Sequence, residues 1–202
     1  MELEDSIFNA LHMYTKVLSV ALGYRDLLTR LHSERVQGIC REIGMRCGLS
    51  NNELNALHIA SSFHDIGKIG IPDHILQKPA QFDDGEWETM RRHAEIGEKI
   101  MAATELRGSQ QAAQVIRHHH EHYNGQGYPD GLSGEDIPIC ARIISVADSY
   151  DAMAVTRSYH HARRHPEIMA VLHQETGEKH DPEIMEFFSE IIESSQYKAN
   201  RA

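Results

Sequence analysis

Cysteine is scarce in this chain. Cys40, Cys47 and Cys140 are odd in number and form no metal-type pair, which argues against a disulfide framework and for a reducing cytosol. Cys40 and Cys47, two turns apart on one helical face, read as small buried residues. Positive charge is also short: 20 Lys and Arg against 30 Asp and Glu leave a formal net charge of −10. A binder of duplex DNA or RNA needs a basic face, so that class is set aside. A small anionic ligand is not, because divalent metals with a few Lys or Arg reverse a local potential. Long apolar runs are missing, and the acidic start Met1-Glu2-Leu3-Glu4-Asp5 precedes none. The expectation is neither a signal peptide nor a membrane insertion, and a cytoplasmic protein. Alternating strand patterns, internal repeats and low-complexity segments are absent too.

The 202 residues, 41% apolar and 25% charged, suit one soluble domain with a real core. Helical periodicity dominates. A stripe of Leu3, Ile7, Leu11, Tyr14, Leu18 and Leu22 predicts a first helix, near enough to heptad spacing to pair with a second copy or to join an upstream domain. Asp26 to Cys47 continues helical up to Gly48. Ser50 with Glu53 three residues later is a helix-start signal, and the helix from Glu53 to Phe63 delivers His64-Asp65 at its end. Gly67, Gly70, Pro72 and Pro79 make the next stretch loop-rich, with a short turn at Asp73–Leu76. Further helices are predicted over Asp84–Ala103, Ser109–His119, Ile139–Met153, Pro166–Thr176 and Pro182–Glu193, the last two with Pro in the first turn. Asn124 to Pro138 reads as one long loop, which in a compact domain is usually functional.

Histidine is the excess: 15 residues. Imidazole is a metal ligand and a proton carrier near neutral pH. His32 alone would pass for a core histidine and His93 alone for a surface one, and any of His118, His119 and His120 could face solvent. His64-Asp65 is a stronger signal, because two ionisable groups on the apolar end Leu57, Ile59, Ala60, Phe63 are costly unless paired or metal-bound. Asp148 is likewise a carboxylate among Ile143, Ile144, Val146, Ala147 and Tyr150. Ligands on several helices can converge at a bundle centre. Nitrogen and oxygen donors without thiolate suit Fe, Mn, Co, Ni or Zn and disfavour Mg and Ca. Two such metals lower the pKa of a shared water and hold the attacking and leaving oxygens of a phosphoester.

These residues fall into a series of motifs: Asp26-x-x-Thr29-x-x-His32-x-x-Arg35-Val36, His64-Asp65-Ile66-Gly67-Lys68-Ile69-Gly70-Ile71-Pro72, Ile75-Leu76-x-Lys78-Pro79, Met90-x-x-His93-x-x-x-Gly97, His119-His120-Glu121-x-x-Asn124-Gly125-x-Gly127-Tyr128-Pro129, Ile137-Pro138-x-x-Ala141-Arg142-Ile143 and Val146-Ala147-Asp148-x-Tyr150-Asp151-Ala152-Met153. In order and spacing, from about Asp26 to Pro182, the chain resembles the HD-GYP domains, a branch of the HD metal-dependent phosphohydrolases.

The resemblance implies an all-α HD-domain helical bundle over residues 25–200, preceded at 1–24 by a linking or dimerising helix, and a long Gly/Pro-rich loop carrying the Gly-Tyr-Pro signature. It implies a phosphodiesterase that hydrolyses cyclic di-GMP to pGpG and/or GMP in bacterial second-messenger signalling. His32, His64, Asp65, His93, His119, His120 and Asp148 resemble the family's metal ligands, with Asp65 bridging two divalent transition metals: Fe or Mn first, with Ni, Co and Zn as alternatives. Lys68 resembles the lysine that contacts the scissile phosphate and, with Asp65, makes up the catalytic pair. Tyr128 and Gly127 lie in the loop that lines the substrate pocket, and Arg157 aligns with an arginine near the substrate phosphates. Partners implied are the cyclic dinucleotide, a second copy through the first helix, and an upstream sensor domain or a GGDEF-type protein.

Three positions depart from the family pattern. Leu28 stands where some members hold an acidic ligand for a third metal, so two metals are expected. Ala80 replaces a glycine. Thr156-Arg157-Ser158-Tyr159-His160 replaces a more basic, proline-containing segment, which leaves room for another substrate such as 3′,3′-cyclic GMP-AMP. A weakly active cyclic-dinucleotide-binding or scaffold module is a further alternative, and a diiron oxygenase a third, against which Lys68 and the Gly-Tyr-Pro loop argue.

Overall fold

The computed structural model describes residues 17–18, 20–21, 23–24, 27–104, 106, 108–155 and 162–199. Among them the chain forms helices and loops and no strand, apart from an isolated bridge between Thr176 and His180. The helices are α1 Leu27–Arg46, α2 Asn51–Phe63, α3 Asp73–Leu76, α4 Asp84–Arg91, α5 His93–Ala102, α6 Ser109–His118, α7 Ile139–Ala154, α8 His165–Gln174 and α9 Pro182–Ile192, with 3-10 turns at Ile66–Gly70 and Gly134–Asp136. No helix among the described residues is long and apolar enough to cross a membrane. Most of the first predicted helix lies outside the described residues. Of its stripe, Leu18 packs on the core.

Local chemistry sets the helix ends. The Ser50–Glu53 capping box starts α2 as the sequence predicts, and a second box, Asp83 with Glu86, starts α4. The Asp181 side chain accepts from the Glu183 and Ile184 amides and Pro182 occupies the first turn of α9. One expectation fails. The single helix predicted over Asp84–Ala103 is broken at Arg92 into α4 and α5. In a continuous helix the Met90 carbonyl would accept from Ala94. Here it accepts from His93 Nδ1 at 2.7 Å, and the break turns His93 inward.

The core is the meeting of α1, α2, α6 and α7, closed at one end by α8 and α9. Ile39, Ile43, Leu57, Ile116, Ile143, Tyr150 and Phe188 are fully buried there. Each such aliphatic side chain contributes about 1.5–3 kcal/mol on burial. Cys40 and Cys140 are buried, Cys47 is half-buried, and all three are free. On α1 the core stripe Val36, Ile39 and Ile43 extends back to His32. On α2 the Leu57–Ala60 line ends at His64, and on α7 the Ala141–Ile144 line reaches Asp148. The apolar faces that build the bundle therefore carry polar groups to one interior point.

Candidate metal centre

Three imidazoles are aimed by the same local device. Nδ1 of His64, His93 and His119 each donates to the carbonyl three residues earlier, of Ser61 at 2.8 Å, Met90 at 2.7 Å and Ile116 at 2.6 Å. This fixes the proton on Nδ1 and turns the Nε2 lone pair inward. His32 is held differently. Its Nδ1 meets Asp151 Oδ2 at 2.6 Å, and Arg35 fastens Asp151 through two bonds of 2.6 and 2.9 Å.

The side chains gather in two trios. His93, His119 and His120 form one, His32, His64 and Asp148 the other, and in each the donor atoms lie within 4.8 Å of one another. Asp65 stands between them. Its Oδ2 is 3.6 Å from His64 Nε2 and its Oδ1 is 3.7 Å from His93 Nε2. Lys68 Nζ lies 2.6 Å from Asp65 Oδ2, and His32 Nε2 is 2.9 Å from Asp148 Oδ1. Gly67 is what lets the 3-10 turn carrying Lys68 approach α5: a Cβ there would collide with the His93 carbonyl.

Electrostatics follows from burial. It lowers the pKa of His64, His93 and His120, and that of His119 to about 3, with neighbouring imidazoles adding to the effect on His119 and His120. His32 goes the other way: burial opposes its charge, but the hydrogen bonds to Asp148 and Asp151 outweigh it and raise the pKa to about 9. Burial likewise pushes the Asp65 and Asp148 carboxyls up. Lys68 and the histidines around Asp65, and His32 beside Asp148, hold both well below the usual range.

The donor set fits a pair of cations. His93 Nε2 and His119 Nε2, both stripped of their protons by the Nδ1 bonds, face each other at 3.5 Å. His64 Nε2 is buried with no hydrogen-bond partner. Lone pairs so placed repel unless a cation lies among them. A third group, His118, Glu121 and Asp130, is different because each of its carboxylates is engaged through at least one oxygen, though Glu121 Oε2 and His118 Nδ1 are buried without a hydrogen-bond partner. Glu121 Oε1 accepts from the Asp130 and Gly131 amides at 2.7 and 3.1 Å, and Asp130 takes both arms of Arg117 at 2.7 Å and His118 Nε2 at 2.9 Å. It anchors the long loop.

That loop presents Tyr128 to the centre, its ring stacked on His120 at 4.9 Å between centroids. Gly127 does not reach the centre by a side chain; it presses on the backbone of Glu121 and His122, where a Cβ would clash. Arg157 lies outside the described residues. His93, ambiguous as a sequence position, is buried, and so is His118, which points to Asp130 instead of joining the trios. Sequence reasoning missed the supporting roles of Asp151, Arg35 and Glu121. For the first two the signal was present in the spacing: Asp151 is three residues after Asp148 and Arg35 three after His32, one helical turn in each case.

A helical bundle that brings a trio of histidines and a trio of two histidines and an aspartate to either side of Asp65 defines a metal-binding class of helical domain. The HD domain profile matches residues 16–184. A cyclic di-GMP phosphodiesterase of Thermotoga maritima is 36% identical over 190 residues, 94% of this chain and 50% of the relative. The 3′3′-cGAMP-specific phosphodiesterase 2 of Vibrio cholerae is 36% identical over 173 residues, 86% of this chain and 33% of the relative. The solved structure of Bd1817, an HDG"Y"P protein of Bdellovibrio bacteriovorus, superposes with a TM-score of 0.66 at 18% identity, covering 94% of this chain and 62% of that one. The chain belongs to the HD domain family, in its HD-GYP branch. It spans half or less of the length of these two curated relatives.

Proposed function

We propose that this chain is a cyclic di-GMP phosphodiesterase that holds two divalent transition metals, Fe or Mn first. One would lie among His93, His119 and His120, the other among His32, His64 and Asp148, with Asp65 shared. The observation that carries the reading is Asp65, which offers one carboxylate oxygen to each trio. When bound, such a pair supplies an acidified water as nucleophile and neutralises phosphate charge. The protein's own part is positioning and electrostatics. Lys68, paired with Asp65, puts a cation beside the centre for a non-bridging phosphate oxygen. Tyr128, stacked on His120, walls the mouth and gives a purine a flat surface to lie against. The buried surroundings strengthen each of these charges.

Relatives of equal identity, 36%, are named for cyclic di-GMP and for 3′3′-cGAMP, so 3′,3′-cyclic GMP-AMP is the second substrate to test. The deciding experiment is anaerobic loading with Fe(II), Mn(II) or Ni(II), a count of bound metal, and chromatography of both dinucleotides. About two metals per chain with pGpG or GMP formed supports the reading. Two metals with neither dinucleotide cleaved overturns it in favour of a binding module. We further propose that residues 1–24 lead into the catalytic domain as a pairing helix, supported by the exposed Val17, Val20 and Tyr24. Sedimentation should then show a dimer that Tyr24→Glu weakens, and a monomer at all concentrations would refute pairing.

A further inference from the structure

Helix α4 carries two residues that the reading above leaves without a task. Trp87, the chain's single tryptophan, is 48% exposed. Phe82 meets its ring edge-on at 5.3 Å, so the indole is held in place. Arg91 follows four residues later on the same face. Its guanidinium carbon lies 5.3 Å from the centroid of the Tyr128 ring, whose own stacking partner is His120. Arg91, Tyr128 and His120 thus form a layered path from the surface to the centre. Among the described residues no carboxylate forms an ion pair with Arg91. Glu88 and Glu95, one turn to either side, are not in range, and Glu95 approaches Arg117 at 4.0 Å.

A guanidinium stacked on an aromatic ring, with its fork unspent, is suited to a phosphate. An exposed indole is suited to stacking on a base. A cyclic dinucleotide has two phosphodiesters and two purines on one ring, and only one diester can lie at the metal centre at a time. Resting on the phosphodiesterase reading, we propose that the Trp87–Arg91 face of α4 is the outer half of the substrate site. Arg91 pairs with the phosphodiester that is not being cut, and Trp87 stacks on one of the purines.

The test compares kcat/KM of the metal-loaded chain for cyclic di-GMP with that for bis(p-nitrophenyl) phosphate, which has one diester and no purine. Arg91→Ala should lower this ratio at least tenfold, mainly through KM, with partial recovery in Arg91→Lys and no change in Arg92→Ala. Titration with a hydrolysis-resistant phosphorothioate analogue of cyclic di-GMP should shift the fluorescence of Trp87. An equal fall on both substrates would show that Arg91 only props Tyr128, and an unchanged ratio or a silent Trp87 would remove α4 from the site. If the wild-type chain with two metals cleaves neither substrate, the phosphodiesterase reading fails, and the fluorescence titration still decides whether α4 meets the nucleotide.

Discussion

The interior of the site and its rim are held by different means. In the interior, α1, α2, α6 and α7 place His32, His64, His119 and Asp148 through the same apolar stripes that make the core; backbone carbonyls orient His64 and His119, and Asp151 orients His32. At the rim, the loop bearing Tyr128 is fastened by scattered hydrogen bonds: Glu121 on two loop amides, Arg117 on Asp130, and backbone bonds such as Tyr128 N–H to the His120 carbonyl at 3.2 Å and Asn124 N–H to the Glu178 carbonyl at 2.8 Å. A centre fixed by helices resists motion because moving it means unpacking the bundle. A rim fixed by scattered hydrogen bonds and not by helix packing opens at a lower free energy, which suits a mouth that admits and releases a large ligand.

The sharpest way to break this contrast is at its middle. Asp65→Asn keeps the shape but removes the shared charge. Metal content should fall below two per chain and turnover by on the order of 10³-fold or more, as expected for loss of several kcal/mol of charge stabilisation. Retained activity with two metals would refute the role of Asp65. Asp151→Asn, behind His32, should weaken metal binding about 10–100-fold, and a competition assay with a chelator would show it. An unchanged affinity would make Asp151 a packing residue only.

At the rim, Glu121→Leu should cost about 1–3 kcal/mol, because the Asp130 and Gly131 amides lose their acceptor. Hydrogen exchange at the Asp130 and Gly131 amides should quicken, while the amides of α2 and α7 stay protected. Uniform loosening of the whole chain would erase the distinction between the two regions.

Acidity probes the interior alone. In the metal-free protein His119 has its pKa lowered to about 3 by burial and nearby imidazoles, against roughly 6.5 when unfolded. Between these values the unfolded chain binds more protons, so stability present above about 6.5 is lost as pH falls toward 3. His32, raised to about 9 by its two carboxylate partners against the pull of burial, gives stability present below 6.5 and lost as pH rises through 9. Thermal unfolding in EDTA should therefore peak near neutral pH and fall on both sides by a few degrees. A flat melting temperature from pH 5 to 9 would contradict these buried states.

Much of the site was legible because its parts recur at helical spacing. Val36, Ile39 and Ile43 declare the inward face of α1, and His32 lies on its continuation. His64-Asp65 is conspicuous because charge is costly at an apolar helix end. The break at Arg92 was not legible. Periodicity runs unbroken through Met90 and His93, and only the packed bundle gives His93 a reason to take the Met90 carbonyl. The identity of the inward residue in His118-His119-His120 was open for the same reason: adjacent residues differ by about a third of a turn, and the loop anchor at Asp130 decides which one turns away.

The sequence by itself determined the helical class, the metal-type donor set and the family, since those rest on residue type and local spacing. Only the tertiary structure decided that Asp65 offers one oxygen to each trio, that Asp151 and Arg35 stand behind His32, and that Trp87 and Arg91 share a face leading to Tyr128. Those relations join residues up to more than a hundred positions apart, as with His32 and Asp151. They come into being when apolar stripes from separate helices bury one another.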